Sequence, residues 1–432
     1  MKAVVLDGTR GNEESGYRLK ERLLSILAEQ GWETEFLTLR DCQIANCAGD
    51  FYCWIKTPGK CQIDDDNRRI ARAYIGADLA VVLTPVTFGG YSSILKRAWD
   101  HLIQNISPFF RKVDGETHHK KRYPAYPDLV VIGYQNKPEP RREAVFRYLV
   151  QRNAINYFAD WYRCIFIHDD TTEEEMTGAI AGALQDMKTG VHPTPVPLPE
   201  RLTTQAPKKL ERIVLLVGSP KGRKSTSFML GDYFLQQLSG HGRFTETFFL
   251  PTIMHSKEKM QELVVAIDNA DLVVLSFPLY VDSLPAPVIN ALEHIAAVRR
   301  DAKHSTSPAF VAIANSGFPE TEHNLTALAS CETFAEEAGF SWAGGLSVGS
   351  GAGLINGNPL AETGGRTARI RKSFEITAAA LATGERIPAV AQESMEKPVI
   401  PHWMYRTFGN LGWRSQTRQY GAWKQIKARP YR

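Results

Sequence analysis

Two stretches of this chain carry residue types whose spacing could do chemistry. The first is Ile213-Val-Leu-Leu-Val-Gly-Ser-Pro-Lys-Gly-Arg-Lys-Ser-Thr-Ser227. An apolar run of strand length turns at Gly218-Ser219-Pro220, and a helical pattern opens at Phe228. The N–H groups of a first helical turn have no intrahelical partner, and the helix dipole favours negative charge. A strand, a short polar loop and a helix start therefore make an anion site. Ser219, Ser225, Thr226 and Ser227 add hydroxyls, and Lys221, Arg223 and Lys224 add positive charge. Neither G-x-x-x-x-G-K-[ST] nor G-x-G-x-x-G is present. Hydroxyls with few glycines suit one terminal phosphate better than a pyrophosphate, which points to a flavin mononucleotide. The bland alternative is a strand-to-helix turn with a hydroxyl cap.

The second stretch holds four of the six cysteines, between Cys42 and Cys61. Six cysteines in so long a chain do not make a disulfide scaffold, so the clustering asks for another chemistry.

These stretches must be positioned by a fold. The chain has 432 residues, 43% hydrophobic and 23% charged, which implies a folded protein of two domains plus extras. A net charge of +4 over this length is too weak to argue for nucleic acid. No signal-peptide pattern opens the chain and no apolar run approaches spanning length, so a cytoplasmic protein is expected.

The first half reads as strands at Lys2–Leu6, Trp32–Leu39, Asp78–Thr84, Leu129–Tyr134 and Arg163–His168, alternating with helices. That alternation predicts a parallel sheet covered on both faces. Asp64-Asp65-Asp66 reads as a helix N-terminus rather than a metal site. The basic, aromatic insertion from Asn105 to Tyr126 reads as a solvated loop, and its His118-His119 pair as a poor metal motif.

After the proline-rich run His192–Pro199 the pattern begins again. Ala77-Asp-Leu-Ala-Val-Val-Leu-Thr-Pro85 matches Ala270-Asp-Leu-Val-Val-Leu-Ser-Phe-Pro278 without a gap. A tandem duplication of one α/β domain explains the shared register. The expected architecture is two flavodoxin-like, doubly wound, parallel five-stranded sheets of order 2-1-3-4-5, with a C-terminal extension. The expected boundaries are 1–190, a linker at 191–209, 210–385, and the extension at 386–432. Ligands of such sheets bind at the carboxyl ends of the strands, where Gly218–Ser227, Pro278–Pro285 and Asn315–Glu320 fall.

Those three loops resemble the NAD(P)H-dependent FMN reductase group of the flavodoxin-like superfamily. The matching residues are Gly218-Ser-Pro-Lys221 with Ser225-Thr-Ser227, Pro278-Leu-Tyr-Val-Asp-Ser-Leu-Pro285, and Asn315-Ser-Gly-Phe318. The resemblance implies that Ser219, Lys221, Ser225, Thr226 and Ser227 hold the FMN phosphate. It implies that Pro278, Leu279, Tyr280 and Val281, with Asn315, Ser316, Gly317 and Phe318, flank the ribityl chain and ring. NAD(P)H is then the co-substrate, a quinone, flavin or similar small molecule the acceptor, and a homo-oligomer is within the family's habit. The first domain departs from the pattern. Its loop, Asp7-Gly-Thr-Arg-Gly-Asn-Glu-Glu14, carries three acids where a dianion would sit, so the expected FMN site is the second. Phe88 and Tyr91 of the first domain either pack locally or wall a flavin.

The cysteine segment Cys47-Ala-Gly-Asp50-Phe-Tyr-Cys53, continuing to Cys61, resembles the compact motif of iron–sulfur flavoproteins, with Asp50 where a cysteine would stand. That resemblance implies a [4Fe–4S] cluster on Cys47, Asp50, Cys53 and Cys61, in an electron carrier without turnover of its own. Structural or redox-labile thiols are the reading preferred here, and zinc is a third. From Lys397 to Arg432 there are eight Lys/Arg, no Asp or Glu, and interleaved aromatics. The expected role is a packed helical extension. Peripheral contact with a membrane or a partner is the alternative, in a scaffold that need not bind flavin.

Overall fold

Strands buried on both faces need apolar side chains at every position, and the runs identified above supply them. The computed structural model describes residues 1–11, 14–239, 243–301 and 307–431. It divides into two units, one of residues 1–113, 118–199 and 407–432, the other of 114–117 and 200–406.

The first unit contains β1 (Lys2–Asp7), β2 (Glu33–Thr38), β3 (Leu79–Pro85), the ribbon strand β4 (Ile106–Val113) and, from His118 on, its mate β5 (Glu116–Lys121), then β6 (Asp128–Gln135) and β7 (Tyr162–His168). Its main sheet has the order β2-β1-β3-β6-β7, and every neighbouring pair is parallel. The second unit contains β8 (Arg212–Val217), β9 (Phe244–Phe249), β10 (Leu272–Pro278), β11 (Ala309–Asn315) and β12 (Ser341–Val348). Its sheet has the order β9-β8-β10-β11-β12, again parallel throughout. With the ribbon set aside, both are the expected 2-1-3-4-5 sheet.

The repeated Ala-Asp-Leu has a physical cause. Asp78 stands just before β3, and its Oδ2 accepts the Lys2 N–H at 2.8 Å. Asp271 stands just before β10, and its Oδ2 accepts the N–H groups of Glu211 and Arg212 at 2.7 and 2.8 Å. In each unit one carboxylate ties the start of the third strand to the start of the first.

The insertion departs from expectation. It is the β4–β5 ribbon, turning at Asp114-Gly115 with φ of 46° and 97°. Asp-Gly is the favoured pair where two successive residues need positive φ. The segment is not a solvated loop: Thr117, His118 and Arg122 are buried. His118 Nδ1 lies 2.9 Å from Asn156 Oδ1, and the His119 ring packs 4.5 Å from Trp54. Phe88 and Tyr91 are also buried, with the Tyr91 ring edge-on to Trp99 and Phe146 inside the first unit. The aspartate run does open a helix, Asp66–Gly76, with Asp65 accepting from the Asn67 N–H.

The helix after β3, Ser93–His101, buries an ion pair, Lys96 with Asp100, both essentially inaccessible. Breaking such a pair strands a charge in low dielectric. Asp100→Asn is expected to destabilise the first unit by about 3–5 kcal/mol, measured by denaturant unfolding. A change below about 1 kcal/mol would show that Lys96 does not depend on this partner.

Candidate functional site

In the second unit the three loops do meet at the carboxyl edge of one sheet. Gly218 leaves β8 with its N–H on Ser276 O at 2.8 Å. The chain turns through Lys221–Ser225 and enters the helix Thr226–Ser239. Ser225 is the cap: its Oγ accepts the Phe228 N–H at 3.0 Å and donates to Gly222 O at 2.6 Å. Its hydroxyl proton is therefore committed. Ser227 is held differently. Its Oγ accepts from Asn315 Nδ2 at 2.9 Å and its carbonyl accepts from Ser276 Oγ at 2.7 Å. A hydroxyl that accepts still has its own proton to donate. Ser219 is buried and Thr226 half-buried, while Lys221, Arg223 and Lys224 are exposed. Arg223 lies over the rings of Phe228 and Phe249, with its guanidinium carbon 5.5 and 5.4 Å from the centroids.

The ring loop after β10 contains a tight turn. Tyr280 and Ser283 exchange both backbone hydrogen bonds, 2.9 and 3.2 Å, while Val281 and Asp282 take φ of 50° and 55°. Left-handed backbone is costly at a β-branched residue. In the first unit Thr87 and Gly90 make the same exchange around Phe88 and Gly89, with φ of 52° and 73°. The turn is thus a shared feature of the duplicated fold.

The loop after β11 is fixed from several sides. Asn315 Nδ2 also donates to Phe277 O, and Ser316 Oγ donates to Phe318 O. Gly317 O accepts from Tyr405 Oη at 2.6 Å. Burial and then Glu320 push that phenol up from its ordinary pKa. The sequence reading missed Tyr405, which lies 88 residues from its partner, and missed Asp282, Glu320 and His323. The last three are all buried.

The corresponding loop of the first unit is closed on itself. Asp7, at the end of β1, is 2% exposed; its Oδ1 accepts the Thr9 N–H and its Oδ2 lies 3.8 Å from Arg40 Nη1. Arg40 also reaches Thr9 Oγ1 at 3.4 Å, and a Cβ on Gly11 would stand 2.7 Å from the guanidinium carbon. An internal ion pair fills the place where an anion would bind. Asn12 and Glu13 lie outside the described residues, and nothing is described of the Glu14 side chain.

The cysteine loop of the first unit is tied by the aspartates that follow it. Asp65 and Asp66 accept the N–H groups of Ala45 and Gln43 at 2.8 Å. Cys47, Cys53, Cys61 and Asp50 lie near enough to act on one another electrostatically. Cys47 is of intermediate exposure, yet the density of protein around its sulfur, then Asp100, pushes the thiol up to about 12. Burial also raises Cys53 strongly and Cys61 less. Cys61 Sγ is 3.6 Å from His101 Nδ1, and His101 Nε2 is 2.8 Å from Ala45 O. The carbonyl can only accept, so the ring proton sits on Nε2 and Cys61 donates to Nδ1.

The C-terminal segment of the same unit packs over this loop. Gln104 Oε1 accepts from both the Cys61 N–H and Tyr431 Oη, and Trp413 is edge-on to Phe51 and Trp54. Arg122 donates to the carbonyls of Ile426 and Ala428.

Comparison with known proteins adds the following. The family described as NADPH-dependent FMN reductase matches residues 1–116 and 212–332. An iron–sulfur flavoprotein from Methanocaldococcus jannaschii is 37% identical over 100 residues, which is 23% of this chain and 51% of that protein. The match therefore spans about half the length of that relative. Among solved structures, the chain is similar to an FMN-dependent NADH-azoreductase from Bacillus anthracis. That likeness has a TM-score of 0.30, 15% identity, and covers 40% of this chain and 99% of that one. It is also similar to an NAD(P)H:quinone oxidoreductase from Methanothermobacter marburgensis, with a TM-score of 0.29, 17% identity, and coverage of 39% and 96%.

The raised thiols make a direct prediction. A thiol at about 12 is ionised to only ~10⁻⁴ at pH 8, and the thiolate is the nucleophile. Cys47 in the native chain is expected to react with iodoacetamide at least 100-fold more slowly than in the denatured chain, as read by mass spectrometry. Equal rates would show an ionised or open Cys47.

Proposed function

Since this chain belongs to the NADPH-dependent FMN reductase family, we propose that its second unit binds FMN and that it works as an NAD(P)H-dependent oxidoreductase. The acceptor we propose is a quinone, a flavin or a similar small molecule. One observation carries this: the loop after β8 offers an anion backbone and hydroxyl donors that take no acceptor among the described residues. The N–H groups of Thr226 and Ser227 begin a helix and have no intrahelical acceptor. The Ser227 hydroxyl proton is available, and the stretch Gly218–Ser227 contains no acid. This donor set fits a terminal phosphate dianion, with Lys221 and Ser219 beside it.

FMN held by Ser219, Lys221, Thr226 and Ser227 would supply the redox chemistry, hydride transfer between a reduced nicotinamide and the acceptor. The protein's part is placement. Asn315 joins the helix start to the ends of β10 and β11, so the phosphate loop and both ring loops are fixed to one another. The turn Tyr280–Ser283 holds its backbone in one strained conformation. Tyr405 caps the loop Asn315–Phe318 through Gly317.

The neighbourhood of Cys47, Cys53, Cys61 and Asp50 supports a second reading, a cluster-bearing electron carrier. Iron and sulfide analysis separates it from the first, for which neither is needed. The expected flavin content is one FMN per chain, with NAD(P)H oxidised when a quinone is added. Ser219→Ala and Lys221→Met are each expected to raise the FMN Kd about tenfold, or about 1.4 kcal/mol. Arg40→Met in the first unit is expected to leave flavin content unchanged. Flavin-free protein that takes up no added FMN sinks the proposal. Two FMN per chain would mean that the Asp7–Arg40 pair gives way.

A further inference from the structure

The C-terminal segment leaves a surface of the first unit that the proposed flavin chemistry does not use. The helix His402–Gln419 belongs to that unit from Thr407 on. One side of it is seated. Thr417 is fully buried, Trp413 meets Phe51 and Trp54, and Asn410 Oδ1 accepts the Phe110 N–H at 3.0 Å. A Cβ on Gly409 would stand 2.5 Å from Phe110 Cε2, so the helix lies close against β4. We propose that the opposite side docks on an anionic lipid surface, with the helix flat in the interface.

At about 100° per residue, Phe408, Leu411, Arg414, Ser415 and Arg418 share roughly a third of the helix circumference, on the side away from Gly409, Trp413 and Thr417. Phe408 and Leu411 are 61% and 51% exposed. Just past the helix, Tyr420 and Trp423 are 45% and 36% exposed. Arg418 joins the two parts, since its guanidinium carbon lies 4.9 Å from the Trp423 ring centroid. Four of the twelve exposed large apolar side chains among the described residues thus fall within Phe408–Trp423. That is a patch rather than the usual scatter of single exposed residues.

The charge around the patch selects the partner. From Thr407 to Arg432 the sequence has six Lys/Arg and no Asp or Glu. Arg414, Arg418, Lys424 and Lys427 are all exposed. Asp50, an acid near Tyr420, is offset there by Lys56. Long cationic side chains lay their stems along apolar surface and keep their charged heads at the lipid phosphates. Tryptophan and tyrosine suit the same depth, with an apolar ring and a polar tip. Phe408 and Leu411 have no polar tip and would enter the acyl boundary. That pair decides against nucleic acid, which binds through cations and stacked aromatics and offers little to an aliphatic side chain. No described helix is long and apolar enough to cross a bilayer, so the contact is a peripheral one.

The test is flotation of the full chain with vesicles, which does not depend on flavin. The probes are vesicles of phosphatidylcholine alone and of phosphatidylcholine mixed with phosphatidylglycerol. Binding to the mixed vesicles is expected to be about tenfold stronger and to weaken as salt is raised. Phe408→Ser with Leu411→Ser is expected to weaken it about tenfold. Arg418→Gln with Lys424→Gln is expected to remove most of the difference between the two kinds of vesicle. All four side chains are exposed, so both variants are expected to unfold at the wild-type temperature. Val265→Ser, which removes an exposed apolar side chain of the second unit, is expected to change nothing. Wild-type chain that floats with neither vesicle overturns the proposal, and so does flotation that both variants keep. An oligomer that the Phe408 and Leu411 changes dissociate, in a chain that binds no vesicle, makes the patch a contact between copies and overturns it equally. Flavin content measured on the same preparations tests the functional proposal separately.

Discussion

A Cβ on Gly218 would stand 2.5 Å from Val288 Cγ2 and 2.9 Å from Phe277 Cβ, so the end of β8 can pass under the helix Ala286–Asp301 only where no side chain exists. The course of the rest of the edge follows from that approach. The loop must rise at the sheet's carboxyl end, and it returns as a helix whose first turn is pinned by Ser276 of β10 and Asn315 of β11. Gly8 repeats the constraint in the first unit, where a Cβ would meet Leu95 Cβ at 2.6 Å. Close packing sets the loop's path in both units, and side-chain chemistry decides what each loop can do.

In that chemistry the units diverge. The second keeps a loop of hydroxyls and cations, whereas the first puts a carboxylate at the strand's end and brings Arg40 to meet it. An ion pair at a nearly buried site already has its charge compensated, and an incoming phosphate would have to displace the arginine from Asp7. The carboxylate would then be left beside a dianion, with like charges in poor contact with water. The acids in the first loop look, from sequence, like simple repulsion. In the structure Asp7 and Arg40 also form a plug.

Much of the fold was legible because its causes are local or periodic. The apolar runs mark buried parallel strands, and Asp78 and Asp271 recur because each ties together two strand starts. The loops that resemble the flavin-binding pattern lie on one edge for the same topological reason. What was not legible depends on partners far along the chain. Thr117 meets Glu320 across 203 residues, and Tyr431 meets Gln104 across 327. Neither pair has a spacing that a motif could express. Ser225 and Ser227 were grouped as equivalent phosphate donors, yet one hydroxyl proton is spent on Gly222 and the other is not, a distinction that only geometry makes. The Asn105–Tyr126 insertion was misread for a different reason: its charges suggest solvent, while Asp114-Gly115 is a hairpin signal that composition outweighed.

The two ring turns extend the divergence of the phosphate loops. Both place two successive residues at positive φ, but the first unit uses Phe88 and Gly89 and so relieves one position with glycine. The second uses Val281 and Asp282, with no glycine and a β-branched residue at the first position. Left-handed backbone at such residues costs of order 1–3 kcal/mol each and persists only where surrounding contacts over-determine it. Those contacts are present. Tyr280 and Ser283 close the turn, and Asp282 is buried against His323, whose other ring nitrogen faces Glu320 on the neighbouring loop. The unit whose first loop carries hydroxyls and cations without an acid is therefore also the unit that holds more strain at its turn after β10, with a buried polar cluster against it. A scaffold alone would gain by relaxing that turn to glycine, as the first unit does in part. Its retention beside that loop fits the flavin-binding edge proposed above, because a backbone already held in one conformation spares the cost of ordering it when a ligand arrives.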